Sequence, residues 1–597
     1  MERVRATGRA NGFGRGRFGA AIVGAIAALA LSAVGVAHAQ LPVGQVGDQL
    51  ALGQGGGQTP PPAPVQKNAE PSLAAVPAAQ CPPGPHTQPS IDGRVPAGSA
   101  ADGLWCNASL VAHQGKSGGF KTLRYADASG HVCAYYDTAL LFPINAFKLD
   151  SSSVGVAVVD MTDPTRPVQT ATLATPPMDS PHESLNLNPK RGLLAAVLGN
   201  PSTNPGDVDI YDVHGDCRHP VLDFEGVIAR LGHESGFSPD GKTFYAAGTA
   251  NQSITAIDVT DPKNPRDLWQ GNVVSHGLSI SDDGTRAYVA DSSNHELAIL
   301  DTSQIQMRLA NPQVSEVSRL TWNSVSIPQN AIPFTENGHR YLLEFDEYSA
   351  GLSTTGDVGA GRIIDISDER HPFVVSNLRL QIDQQPDRAN AGNDPGMQSP
   401  VQGYAAHYCN IPTRVDPKIV ACSFIASGLR VFDISDLLHP KEAAYFVAPT
   451  KAVAENSFMA SDFAMSQPAF DTARHDVWFT DGASGFYNVH IADNAWPKAP
   501  APACRDTRRF TFTLHHGRGS RVVDARVYIN GKLAKHVRGR NLKRITIARL
   551  PRGRFVVKIV TTSNHGSTLT STRKYKGCVK GPPHTRAHHH HHRRKHH

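Results

Sequence analysis

Short β-branched runs, each closed by an acidic turn, recur along the middle of the chain. Val156-Ala-Val-Val-Asp160-Met-Thr-Asp-Pro164 returns as Ile254-Thr-Ala-Ile-Asp258-Val-Thr-Asp-Pro262, then as Arg362-Ile-Ile-Asp365-Ile-Ser-Asp368 and Arg430-Val-Phe-Asp433-Ile-Ser-Asp436. Weaker copies end at Asp212 and Asp301, and Phe486-Tyr-Asn-Val-His490-Ile is a degenerate one. A β-branched run suits a buried strand, and the Asp and Ser/Thr that follow offer oxygens to cap the amides of a turn. Proline at a steady offset (Pro167, Pro265, Pro372, Pro440) then ends the pairing. No window here sustains a helical period.

A second element precedes each copy. His233-Glu-Ser-Gly-Phe-Ser238-Pro-Asp240-Gly241, His276-Gly-Leu-Ser-Ile-Ser281-Asp-Asp283-Gly284 and Asn330-Ala-Ile-Pro-Phe-Thr335-Glu-Asn337-Gly338 share one register, and each leads into an apolar strand. Asp-Gly and Asn-Gly are hairpin signals. Each unit therefore reads strand, tight turn, strand, loop, strand ending in the repeated Asp, then an outer strand. Four antiparallel strands at a period of about 40–50 residues make a propeller blade. The period allows six to eight blades, and counting the degenerate copy gives seven between Trp105 and Asp493. The wider gaps hold insertions, such as 351–360 and 383–400.

The hydrophobic–Asp–hydrophobic–Ser/Thr–Asp repeat resembles that of the LVIVD-repeat propellers. The His-to-Asp-Gly element is similar to that of the broader YVTN-type and selenium-binding-protein-like propellers. The resemblance covers about 105–495 and implies an all-β fold, a β-propeller of seven four-stranded blades. It says little about activity, because fold does not fix function.

The sequence flanking the propeller differs in kind. Arg3, Arg5, Arg9, Arg15 and Arg17 precede an apolar stretch from Phe18 to Val36, and Ala37-His38-Ala39 stands before Gln40. This is the pattern of a signal peptide over 1–39, with an uncleaved anchor as the rival reading. Export is therefore expected, to the cell envelope or beyond it, with no membrane span in the mature chain. Residues 40–80, rich in Gly, Pro and Gln, predict a flexible linker ahead of a propeller spanning 81–497.

Eight cysteines in an exported chain read as disulfides. Cys504 and Cys578 bracket the carboxy-terminal region, and Cys409 and Cys422 flank adjacent strands of one hairpin. Cys106 with Cys133, and Cys81 with Cys217, complete one of many possible connectivities.

Between Cys504 and Cys578 apolar residues alternate: Phe510, Phe512, Leu514; Val523, Ala525, Val527, Ile529; Phe555, Val557, Ile559, with Asn530-Gly531 as a turn. This predicts a small β-sandwich over 504–578, and it resembles the basic Ig-like domains at the ends of exported bacterial proteins. From Cys504 to Lys580 there are twenty Lys or Arg against two acids, Asp506 and Asp524. The amino-terminal 39 residues and the tail after Lys580 carry +4 each, so the body between 40 and 503 stands at −20 within a chain of net charge +6. A basic appendage on an acidic body suggests a partner that is an anionic envelope polymer or surface. Nucleic acid is not expected, since no aromatic stacking motif accompanies the cations. The tail 579–597, with His588–His592, is expected to be disordered and outside the fold.

Candidate chemistry rests on the histidines that open inner strands: His182, His233, His276 and His407, with Asn330 at the matching place in another blade. Matched positions of a propeller converge on its axis, and a ring of imidazoles there suits copper or zinc. The contrary reading has each histidine hydrogen-bond a neighbouring blade, kept by repetition alone, or stay bonded within its own blade, with no convergence required. Glu183 and Glu234, next in sequence, are expected to face the other side of their strands and to orient neighbours. No nucleotide-binding or nucleophile-elbow motif is present. Two functions follow. The first is an extracellular binding or scaffold protein with a ligand of unknown identity at the propeller mouth. The second is a metal-dependent enzyme, an oxidoreductase like the copper-dependent methanethiol oxidases of the selenium-binding-protein-like group or a lactonase-like hydrolase.

Overall fold

The computed structural model describes residues 57–67, 70–139, 154–199, 206–248, 253–347, 358–398, 403–450, 461–497, 508–514, 520–551 and 553–576. The amino-terminal basic and apolar stretch, Cys504, Cys578 and the histidine-rich tail lie outside these residues. The chain forms two compact units, 1–497 and 498–597.

The first unit is a seven-bladed β-propeller. Six antiparallel sheets span 122–173, 186–229, 234–272, 278–321, 327–378 and 406–447. The seventh takes three strands from 469–491 and its outermost strand, Ala108–Gln114, from the other end of the domain. Ala108–Gln114 pairs antiparallel with Gly485–Ile491, so the ring closes by main-chain hydrogen bonds between its two ends. Neighbouring blades pack face to face. Tyr245, Ala247, Ile254 and Ala256 of the third blade, for example, bury against Leu278, Val289, Ala298 and Leu300 of the fourth.

The repeated aspartates act as the sequence suggests. Asp160, Asp212, Asp258, Asp301, Asp365 and Asp433 each accept a hydrogen bond from the amide two residues on, at 2.7–2.9 Å. The following Asp163, Asp261, Asp368 and Asp436 do the same at 3.0–3.1 Å. Such Asx turns end the third strand and send the chain into the fourth. In the hairpins, Ser238 and Ser281 accept the amides of Thr243 and Arg286, and Gly241 and Gly284 take φ of 71° and 76°.

Two repeats show only in three dimensions. Every outermost strand carries at least one extra residue opposite its partner, as at Thr170, Leu268 and Ala443, which sharpens blade twist. Several second strands also end in an aspartate that caps the entry to an inner strand. Asp137 accepts the amides of Phe120 and Lys121, Asp346 that of Ser326, and Asp481 that of Phe463.

Part of the stretch whose composition predicts a linker is paired. Gln58 bridges Gly271, and Val65–Lys67 runs parallel to the outer strand Ser315–Thr321. An extended Pro-rich segment can lie along an exposed sheet edge and borrow its hydrogen bonds without burying apolar surface of its own. The cysteines pair as Cys81–Cys106, Cys133–Cys217 and Cys409–Cys422. The first two differ from the pairing expected above, because Cys106 lies in a strand on the edge of the sixth blade and Cys133 inside the first. No helix among the described residues is long and apolar enough to cross a membrane.

The second unit has a two-stranded sheet, Phe510–Thr513 with Arg544–Ile547, and a four-stranded sheet of Val522–Ile529, Lys532–Arg538, Arg554–Ser563 and Thr568–Lys576. Phe512, Leu514, Ala525, Val527, Ile545, Ile547, Phe555 and Val557 form its core.

Ring closure yields a direct prediction. Deleting the chain up to Gln114 removes the last blade's outer strand, and the propeller should lose its single cooperative thermal transition. Deleting only residues before 57 should leave that transition in place, and equal melting of the two truncations would contradict the closure.

Candidate metal centre on the propeller axis

The entries to the inner strands bring four histidines and Glu183 together, and the end of a second strand adds Glu347. His276 and His407 are held from behind. The Nδ1–H of His276 donates to the carbonyl of Pro328 at 2.9 Å, and that of His407 to the carbonyl of Met465 at 2.7 Å. A carbonyl can only accept, so Nδ1 carries the proton and the Nε2 lone pair faces the axis.

There the nitrogens meet carboxylates. His407 Nε2 lies 3.1 Å from Glu183 Oε1 and 3.1 Å from Glu347 Oε2. His276 Nε2 lies 3.6 Å from Glu183 Oε2 and 3.5 Å from Glu347 Oε1. His233 Nε2 lies 3.2 Å from Glu183 Oε2. All five residues are buried, His407 completely. His182 completes the arc, its ring 4.5 Å from that of His233 and stacked on Phe120 at 4.4 Å.

Lone pairs facing carboxylate oxygens repel unless a cation stands between them. One possibility is a proton: burial opposes the charge of His407, but Glu183 and Glu347 override it and push the imidazole up to about 9. Burial likewise opposes the charge of Glu183, and the imidazoles hold its carboxyl well below the usual range. The other is a metal. Two ligands of one tetrahedral zinc ion stand about 3.3 Å apart when each lies 2.0–2.1 Å from the metal, and the separations of 3.1–3.6 Å bracket that value. With the imidazoles unprotonated at Nε2, Glu183 Oε2, His407 Nε2 and both ring nitrogens of His233 are buried without a hydrogen-bond partner. Ligand atoms of His182, Glu183 and His233, and of Glu183, Glu347 and His407, lie within 4.8 Å of one another in each group.

Beneath this layer the axis carries a second polar group. Lys121 Nζ donates to Glu234 Oε1 at 2.9 Å and lies over the Tyr408 ring at 4.0 Å. Asn330 Nδ2 also donates to Glu234 Oε1, at 2.6 Å, and Gln329 Nε2 donates to the Tyr408 hydroxyl at 2.8 Å. Burial pushes the Glu234 carboxyl up to about 7 despite the ammonium beside it.

His182, His233, His276 and His407 thus meet as their register suggests. Asn330 does not join them; its Nδ2 instead donates to Glu234 in the second polar group. Glu234 faces away from the imidazoles, as expected. Glu183 does the opposite and becomes their common partner. His182 takes a positive φ of 51° and the regular strand begins only at Asn186, so alternation does not govern residue 183.

Glu347 and Lys121 were not evident from the repeats. Glu347 lies one residue past Asp346, the second-strand aspartate that caps Ser326. Lys121 precedes Gly130 by nine residues, one more than the eight that separate His233 from Gly241, so counting back eight from the hairpin glycine lands on Thr122 and misses it.

Fold and site together define a seven-bladed β-propeller with an axial imidazole–carboxylate cluster. No protein-family model matches the chain, and no curated protein matches it. Among solved structures it is similar to the periplasmic gluconolactonase of Pseudomonas aeruginosa, at 12% identity over 67% of this chain and 96% of that one, with a TM-score of 0.40. Hydrazine synthase of Kuenenia stuttgartiensis matches at 12% identity over 64% of this chain and 97% of that one, TM-score 0.40. The propeller domain of Cps50 from Myceliophteria thermophila matches at 11% over 64% and 98%, TM-score 0.40. Likeness at this level does not extend to activity.

The buried Lys121–Glu234 pair can be tested by removing one charge. Lys121→Met leaves Glu234 uncompensated and should destabilise the propeller by about 3–5 kcal/mol, read from urea unfolding. Adding Glu234→Gln should restore much of that loss. A single variant within about 1 kcal/mol of the native chain would show that the pair does not hold the axis.

Proposed function

We propose that the chain is an exported metal-dependent enzyme whose axial ion is held by His233, His276 and His407 with Glu183 and Glu347. The observation that carries this reading is the gathering of the Nε2 atoms of His233, His276 and His407 around Glu183 in a buried space, with Glu347 beside the last two. The binding-module alternative requires no convergence, and the Nδ1 bonds of His276 and His407 to the neighbouring blades fit it equally. Here the backbone carbonyls take only Nδ1 of His276 and His407 and leave Nε2 aimed inward.

A purely structural ion has little to do at this place, since the ring is already closed by strand pairing. Buried charges are also poor devices for stability compared with apolar packing, and clusters of perturbed titratable groups concentrate at functional sites. The donor set contains imidazole and carboxylate and no thiolate, which suits zinc or copper(II) among the common ions. Such an ion would polarise a bound carbonyl or water, or for copper exchange an electron. The protein's own part is to orient Nε2 through the Pro328 and Met465 carbonyls and to exclude bulk water from the ligands.

The reading of the repeat as LVIVD-type stands with this proposal, supported by the Asx turns at the six repeated aspartates. Three disulfides support export to an oxidising compartment.

The test uses the chain ended at Lys580, which removes the terminal histidine tract. Loaded with zinc or copper(II) and dialysed, it should retain about one equivalent, and His233→Ala/His276→Ala should lose it with at least a hundredfold weaker affinity, about 2.7 kcal/mol. Lactone hydrolysis and thiol oxidation are then assayed on the loaded protein. No retained metal after loading with either ion overturns the proposal.

A further inference from the structure

Three side chains of the lower axial layer, Lys121, Glu234 and Asn330, stand in the order that an amide exchange needs. They open the first, third and fifth blades, and all three are buried. The Lys121 ammonium and the Asn330 amide nitrogen donate to the same atom, Glu234 Oε1, at 2.9 and 2.6 Å. The carboxylate is pressed into this place by the backbone beside it. Its other oxygen packs on Gly277, where a Cβ would stand 1.5 Å away.

The Asn330 carbonyl is held from a different side. Its Oδ1 accepts the amide N–H of Ala331 at 2.6 Å and the hydroxyl of Ser279 at 3.0 Å. Two donors on one carbonyl oxygen draw electrons from Cγ and stand ready for negative charge, as in an oxyanion hole. The Tyr408 ring covers the ammonium at 4.0 Å. A desolvated lysine amine is a strong nucleophile once it gives up its proton, and fixed neighbours replace a chance encounter.

We infer that Lys121 and Asn330 condense to an intramolecular isopeptide bond, with Glu234 as the proton carrier. Glu234 Oε1 takes a proton from Lys121 Nζ, and the freed lone pair attacks Asn330 Cγ. Negative charge passes to Oδ1, under the Ala331 N–H and the Ser279 hydroxyl. Glu234 returns the proton to Nδ2, the Cγ–Nδ2 bond breaks, and ammonia leaves as the carbonyl re-forms. The new amide nitrogen then sheds its extra proton to Glu234. An ammonium and a carboxylate are thereby replaced by a neutral amide and a neutral carboxyl, and no oxidant or further reactant is consumed. Loss of two buried charges removes a desolvation cost.

The bond ties the first blade to the fifth across the axis, a covalent brace in a ring otherwise closed by strand pairing. It also gives a role to the asparagine that stands where other blades carry histidine. The ion pair is the arrangement of the unlinked chain, the state to which removal of its charges applies. The inference does not depend on the metal centre in the layer above.

The test is tryptic mapping of the full chain, purified folded, then denatured and reduced. Linkage blocks cleavage after Lys121 and should join peptides 117–124 and 320–340. Their combined mass should fall by one ammonia, about 17 Da, with fragment ions locating the join at Lys121 and Asn330. Glu234→Gln should lower the yield of the joined pair at least about tenfold. Recovery of the two peptides only as separate species, from a native chain that melts cooperatively, overturns the inference. So does a loss of ammonia that maps elsewhere without the joined pair, or a joined pair undiminished in Glu234→Gln.

Discussion

Six blades turn on the same hydrogen bond, in which an aspartate at the end of the third strand accepts the amide two residues on. It halts the strand at a fixed place, and the outer strand follows with its one extra residue opposite the same site. Blade length and twist are therefore alike around the ring. That uniformity lets seven inner strands reach a common axis and lets Ala108–Gln114 find its place beside Gly485–Ile491. The convergence of functional side chains is a consequence of this regularity.

At the axis the regularity is broken in useful ways. The left-handed backbone at His182 turns two consecutive side chains inward, so one short stretch supplies both an imidazole and the central carboxylate. Asn330 lies in the lower layer, where it supports Glu234 beside Lys121. The upper layer is then rich in lone pairs and negative charge, and the ammonium sits below it. Repulsion in the upper layer is relieved by protons on the imidazoles or by a metal, and exchange between the two couples metal binding to proton release.

The fold was largely legible in the sequence because its determinants are local. Asx turns, Asp-Gly hairpins and β-branched runs report on neighbours within a few residues, and even the degenerate strand Gly485–Ile491 kept its alternation. His233 and His276 were legible for the same reason, by register from Gly241 and Gly284, whereas His182 precedes a longer turn and His407 a turn without glycine. Glu347 and Lys121 were not, because the first continues a strand past the point where the repeat ends and the second sits one residue out of step. Glu183 escapes strand alternation because it lies ahead of the regular strand that begins at Asn186. The pairing of Val65–Lys67 with the fourth blade was hidden as well, since composition reports buried apolar area and an edge strand needs little.

The axial cluster is tested most directly by X-ray absorption at the metal edge of the zinc- or copper-loaded chain ended at Lys580. A first shell of nitrogen and oxygen only, with the multiple-scattering signature of about three imidazoles and metal–nitrogen distances near 2.0 Å, is the expected spectrum. A sulfur-containing shell, or one without imidazole scattering, would contradict a metal held by His233, His276 and His407.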